Sequence, residues 1–232
     1  MAKLTFHGQS TFVVECDDGT RLVIDPFFDD NPLSEIRRSE VGAVDYLLAT
    51  HGHYDHFVDA LPLLRETEAT LISTFEIASF AESEGIGKVH PMHIGGGYGF
   101  PFGRVKMTPA IHGGQVHGDT TGQYSTTPGG FLMHLDGRRI YHAGDTALTL
   151  DMGLLKGKVD VAILPIGDNF TMGPEDAAEA VALIRPRVVI PVHYNTWPLI
   201  EQDPERFRDL VGERAGDGVR VEIMDPGDSY AP

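Results

Sequence analysis

Two hydrophobic periodicities alternate along this chain. Short apolar runs bounded by turn residues read as strands, and longer amphipathic runs between them read as helices. Residues 12–25 give an apolar run, an Asp18-Gly19 turn and a second apolar run ending in Asp25. Residues 131–145 repeat that grammar, with Asp136-Gly137 at the turn and Asp145 at the end. Asp-Gly between apolar alternations predicts a β-hairpin in both places. After each hairpin comes a buried strand, at residues 44–49 and 159–165, then a polar loop, a helix and a closing strand. The second helix has clear ends. Pro174 opens it, Glu175 and Asp176 occupy its first turn, and Pro186 stops it beyond Ile184. In the first half, residues 57–64 look like the start of a helix. The closing strands are 69–73 and 187–193, and residues 105–111 are also strand-like. Between the halves, residues 95–103 predict a turn-rich crossing whose aromatics want burial.

This pattern predicts an α/β fold in a single domain, 1–232, made of two similar halves at about 1–100 and 101–232. Stacked face to face, the halves would bury both sheets and leave helices outside. The result is a four-layer αββα sandwich, with a site along one edge where loops from both halves meet.

Composition narrows the partners. A chain of 232 residues that is 41% hydrophobic sustains one sizeable core. Its net charge of −16 argues against a phosphate-tracking surface, so no nucleic-acid partner is expected. A small-molecule substrate is expected, and an anionic one stays open because bound metal ions dominate the local field of a site. There is no apolar run long enough to span a bilayer and no cationic, apolar leader before Leu4. No membrane partner and a cytoplasmic location are therefore expected, and a homo-oligomer is left open. The single cysteine, Cys16, lies in a strand-like run and reads as packed rather than reactive.

The chemistry concentrates in Thr50-His51-Gly52-His53-Tyr54-Asp55-His56. Three imidazoles and a carboxylate follow directly on a buried strand. Residues two apart on a helix do not face each other, so the spacing suits a loop coiled around an ion rather than a helix-borne site. Packing alone seldom demands three histidines in six positions, and imidazole favours zinc-like ions. Three more candidates sit at predicted strand ends in the second half: His112, Asp145 and His193. Gly144 beside Asp145 permits a close backbone approach.

On these residues the chain resembles the metallo-β-lactamase superfamily, whose signature is Thr-His-X-His-X-Asp-His followed by His, Asp and His. All seven ligand positions match: His51, His53, Asp55, His56, His112, Asp145 and His193. In detail it is similar to the small bacterial and archaeal metal-dependent hydrolase branch, related to lactonase-like proteins. Residues 7–10, 24–27, 141–146, 165–173 and 191–198 carry that likeness. The resemblance implies two divalent transition-metal ions, zinc or manganese first, with iron or nickel also compatible with the N/O ligands. His51, His53 and His112 would hold the first ion, Asp55, His56 and His193 the second, and Asp145 would bridge them. Ions roughly 3.5–4 Å apart can share a hydroxide and polarise a carbonyl or phosphoryl group, so the implied reaction is hydrolysis.

Other residues have narrower expectations. Asp55 and Asn169 are the candidate catalytic residues, Asn169 as a donor to a developing oxyanion. His7 is a candidate rim group, while His142 and Asp25 are expected to support ligands. Gln9 departs from this branch, which often carries a second histidine there, and this weakens any claim that the opening loop takes part in chemistry. His90, His93, His117 and His134 read as surface histidines, and the acids between Glu201 and Glu213 as a solvated helix face. The functional expectation is a binuclear metal-dependent hydrolase using a metal-bound hydroxide on a small ester, lactone or phosphodiester. The competing class is a non-catalytic metal-binding or sensor module.

Overall fold

The computed structural model describes residues 1–232. The first hairpin forms as expected, with β2 (Phe12–Glu15) against β3 (Arg21–Ile24) and β1 (Lys3–Phe6) on its other side. Three parallel strands follow: β4 (Tyr46–Leu48), β5 (Thr70–Thr74) and β6 (Val89–Met92). Helices α1 (Tyr54–Phe57), α2 (Ala60–Thr67) and α3 (Phe75–Ser83) connect them.

The second half repeats this order. β7 (Gly97–Phe100), β8 (Gly103–Pro109), β9 (Gly129–Leu135) and β10 (Arg138–His142) form an antiparallel meander. Parallel strands β11 (Val161–Pro165), β12 (Val188–Val192) and β13 (Arg220–Val221) then extend it. α4 (Pro174–Ile184) and α5 (Pro204–Ala215) cover this sheet, and β14 (Ser229–Tyr230) crosses back to pair with β1. Each sheet has seven strands, ordered β14-β1-β2-β3-β4-β5-β6 and β13-β12-β11-β10-β9-β8-β7. The chain changes sheet before β7, and β14 completes the first sheet from the far end of the sequence.

Burial confirms the four layers. Leu4, Phe12, Val14 and Ile24 of one sheet meet Met107, Phe131, Met133 and Ile163 of the other in a single apolar cluster. A second cluster joins Leu47 and Leu71 to α2 and α3, and a third joins Ala162 and Val189 to α4 and α5. Strand residues alternate between the inner and outer clusters, as period-two patterning requires. No helix is long and apolar enough to cross a membrane.

Local expectations needed correction in three places. The crossing at 95–103 contains strand β7, whose glycines hide it from propensity reasoning, and Tyr98 is half exposed rather than buried. His90 is not a free surface histidine, because it is half-buried between Tyr98 at 4.4 Å and Phe100 at 4.8 Å. The helix expected from residue 57 starts at Tyr54 and breaks at Val58-Asp59. There the Asp59 carboxylate accepts from the Phe28 amide at 2.6 Å and the Asp29 amide at 3.2 Å. His93, His117 and His134 are exposed as expected. Cys16 is buried, and burial pushes its thiol up to about 12.

Candidate metal centre

Every candidate ligand leaves the carboxyl end of a strand at the same edge of the sandwich. β4 runs straight into His51, and His53 takes an extended backbone that starts α1. That single turn carries Asp55 and His56, so the segment is part loop and part helix rather than all loop. The change of backbone at His53 separates the pairs: His51 and His53 fall in one cluster, Asp55 and His56 in the other. His112 follows β8, Asp145 follows β10, and His193 follows β12 in a left-handed conformation (φ 57°). Gly144 is also left-handed, at φ 63°, and a Cβ there would lie 2.6 Å from the Gly129 carbonyl oxygen. Only glycine lets the Asp145 turn approach β9 this closely.

The seven side chains form two adjoining groups. His51, His53 and His112 make one, and Asp55, His56, Asp145 and His193 the other, with ligand atoms within 4.8 Å of one another in each group. Asp145 Oδ2 is the meeting point. It lies 3.0 Å from His193 Nε2, 3.3 Å from His56 Nε2, 3.4 Å from His112 Nε2 and 3.9 Å from His51 Nε2. His112 Nε2 is 3.1 Å from His53 Nδ1.

Two of the outward-facing nitrogens are held by the protein, while His193 Nδ1 is buried without a partner. His56 Nδ1 is 2.9 Å from Asp25 Oδ2, and His51 Nδ1 is 3.0 Å from Thr50 Oγ1. Asp25 also accepts from the Thr50 amide at 2.7 Å and its hydroxyl at 2.6 Å. Asp25 therefore supports the ligands, as expected. Inward-facing atoms are different: His51 Nε2, His56 Nε2 and Asp145 Oδ1 are buried with no hydrogen-bond partner. Buried polar atoms without partners are costly, and cations bound in the two groups would satisfy them. The donor set of imidazoles and carboxylates fits divalent transition metals.

Electrostatics agree. Burial would raise the Asp145 carboxyl, but His193 and His56 outweigh it and hold it well below the usual range. Burial lowers His51 well below its ordinary value, with His56 adding to the effect, so it is a neutral imidazole ready to bind a cation. Burial opposes charge on His193 too, yet Asp145 and Asp55 raise it to about 9.

The remaining candidates separate by position. His142 ties the Asp145 turn: its Nε2 lies 3.1 Å from the Ser10 carbonyl, and its Nδ1 accepts from the Gly144 amide at 3.2 Å. His7 is buried beside Glu35, at 2.8 Å, and lies outside both ligand groups. Asn169 is exposed, with a left-handed backbone and no side-chain hydrogen bond to protein. Its neighbour Phe170 lines the cavity over the centre. Gln9 reaches the candidate centre. Gln9 is fully buried, and its side-chain amide donates to Asp55 Oδ2 at 2.7 Å, which joins the opening loop to the centre.

The cavity itself measures about 380 Å³ and is lined by His53, Tyr54, Asp55, His112, Asp145, Phe170, His193 and Trp197. Sequence reasoning missed its aromatic wall. Tyr54 carried a signal, since it stands inside the histidine-rich segment itself. Phe27 fixes two of these rings from behind, 5.6 Å from Tyr54 and 6.0 Å from Trp197.

Residues 20–194 match the family model described as the Beta-lactamase superfamily domain. A UPF0173 metal-dependent hydrolase of Heliobacterium modesticaldum is 46% identical over 237 residues, covering 99% of this chain and 97% of that protein. One from Desulforamulus reducens is 47% identical over 229 residues, covering 97% and 98%. Among solved structures, Igni18, a metallo hydrolase from the archaeon Ignicoccus hospitalis, superposes with a TM-score of 0.88. Its sequence is 36% identical, and the match covers 99% of this chain and 97% of that one. Identity approaching one half along nearly the full length of both chains leaves one conclusion: this chain belongs to the beta-lactamase superfamily, among its UPF0173 metal-dependent hydrolases.

Proposed function

We propose that the protein is a binuclear hydrolase of a small, uncharged ester or lactone. His51, His53 and His112 would hold one divalent ion, zinc or manganese, and Asp55, His56 and His193 a second, with Asp145 available to both groups. The observation that carries this reading is the pair of ligand groups meeting at Asp145, with unpartnered atoms turned inward. Two such ions, when bound, supply a water of lowered pKa and polarise the substrate carbonyl.

The chain's own residues do the rest. Tyr54, Phe170 and Trp197 wall the cavity, exclude water and seat an apolar substituent beside the centre. Asp55 is the more exposed of the two central carboxylates, 17% against 3% for Asp145, and it reaches the cavity. It is the group placed to orient the proton of an attacking water or relay it to a leaving group. Asn169 precedes the wall residue Phe170 but is not itself among the cavity-lining residues, and it is the proposed donor to the developing oxyanion only through its loop.

The choice of ester or lactone over phosphodiester rests on the lining. It contains no lysine or arginine, so beyond the bound ions no permanently charged side chain would pair with a further phosphate oxygen. The test is a panel of an aryl butyrate ester, a γ-lactone, a bis-aryl phosphodiester and a β-lactam, assayed with and without chelator. Turnover should be highest for ester or lactone, lower for phosphodiester and lowest for β-lactam, and chelator should abolish it. Preferential phosphodiester turnover would overturn the substrate class. No turnover of any substrate above free metal would favour the sensor reading.

A further inference from the structure

We propose that Gln9 is a positioning residue of the second ion's pocket, holding Asp55 in its ligating orientation through a side-chain amide that cannot turn. The inference rests on the binuclear reading above. Gln9 lies in the tight loop between β1 and β2, where the His7 amide donates to the Thr11 carbonyl and the Thr11 amide to the Gly8 carbonyl, each at 3.0 Å. Its own backbone is left-handed, at φ 54°, and its side chain is fully buried. From there it makes three contacts. The amide nitrogen donates to Asp55 Oδ2 at 2.7 Å, the amide oxygen accepts from the Thr196 hydroxyl, and the backbone carbonyl accepts from the His193 amide at 2.7 Å.

Chemistry fixes the direction of this chain of bonds. An ionised carboxylate can only accept, so the NH₂ end of Gln9 must face Asp55. The oxygen end then faces Thr196, whose hydroxyl has to donate. Turning the amide over would set oxygen against carboxylate, a clash that the Thr196 hydroxyl, able to donate or accept, would not relieve. A charge-assisted hydrogen bond of this kind is among the stronger ones a protein makes. It also lessens the repulsion between Asp55 and Asp145, which share His56 and His193 between them.

The contacts are one-sided. Gln9 bonds Asp55 through its side chain and His193 through its backbone, both ligands of the second ion. It makes no hydrogen bond to His51, His53 or His112. The fold gives a reason for its place. β1 and β8 occupy matching positions in the two sheets, and the loop after β8 carries His112. One half uses this position for a ligand, the other for a ligand's support.

The test is a chelator-competition titration of the metal-free protein with zinc, reading an affinity for each ion, alongside the melting temperature of the metal-free form. Gln9→Ala should weaken the second ion about ten- to a hundredfold, the usual range for losing such a supporting bond, and leave the first unchanged. Thr196→Val, which removes only the hydroxyl that locks the amide, should shift the second ion in the same direction by less. Thr196→Ser keeps the donor and should match the wild type. Two ions of wild-type affinity in Gln9→Ala would overturn the inference. So would equal weakening of both ions with a lower melting temperature, because that marks a general structural role. A wild-type protein that never takes a second ion overturns the binuclear reading instead.

Discussion

Asp25 and Asp145 follow equivalent hairpin strands in the two halves, Asp25 directly after β3 and Asp145 a short turn beyond β10, and each is buried at the same edge of the sandwich. Their surroundings make them different groups. Asp25 is filled by its own protein, with three donors or imidazole nitrogens between 2.6 and 2.9 Å. Asp145 has one oxygen facing four histidines and the other facing no partner. Backbone differs too: Asp25 itself is left-handed at φ 47°, while in the second half Gly144 takes that conformation and leaves Asp145 to point inward. Similar strands can thus deliver either a ligand or a ligand's support. What separates the two is whether both carboxylate oxygens are closed in by neighbours or one is left without a partner.

The largest effect that should break this comparison is at Asp145. Asp145→Ala removes the shared ligand and a neutralising charge from two nearby cations. The variant should lose at least one ion and nearly all hydrolysis while staying folded, as read by elemental analysis and circular dichroism. Asp25→Ala should act on stability instead. It strips a fully buried partner from His56, a change worth about 3 kcal/mol. In a chain of this size that lowers the melting temperature by roughly 6–12 °C. At saturating metal it should still carry two ions. The smallest effect is expected for Thr50→Val, which removes one of the Asp25 donors and keeps the His56 contact. A cost of about 1–3 kcal/mol, with both ions retained, is the expected outcome of a denaturant titration.

The sequence exposed the parts of this site that depend on local pattern. His51, His53, Asp55 and His56 stand in one segment, and His112, Asp145 and His193 each follow an apolar run that must be a strand. The four layers followed from the repeated hairpin, strand and helix order. What stayed hidden depends on distant meetings. Gln9 touches Asp55 across 46 positions and Thr196 across 187, and no spacing rule links them. Phe170 and Trp197 become cavity walls only when the loops after β11 and β12 converge over α1. β7 escaped because glycine alternates with its aromatics, and glycine carries no strand signal.

The central claim is that seven residues hold two ions, and metal stoichiometry tests it most directly. The purified, metal-stripped chain is reloaded with zinc or manganese, freed of unbound ions and analysed for metal per mole of protein. Close to two ions per wild-type chain, falling to one or none in Asp145→Ala and staying at two in Asp25→Ala, is the predicted result. A wild-type value that never exceeds one, or an Asp25→Ala variant emptied while Asp145→Ala keeps both ions, would contradict the account.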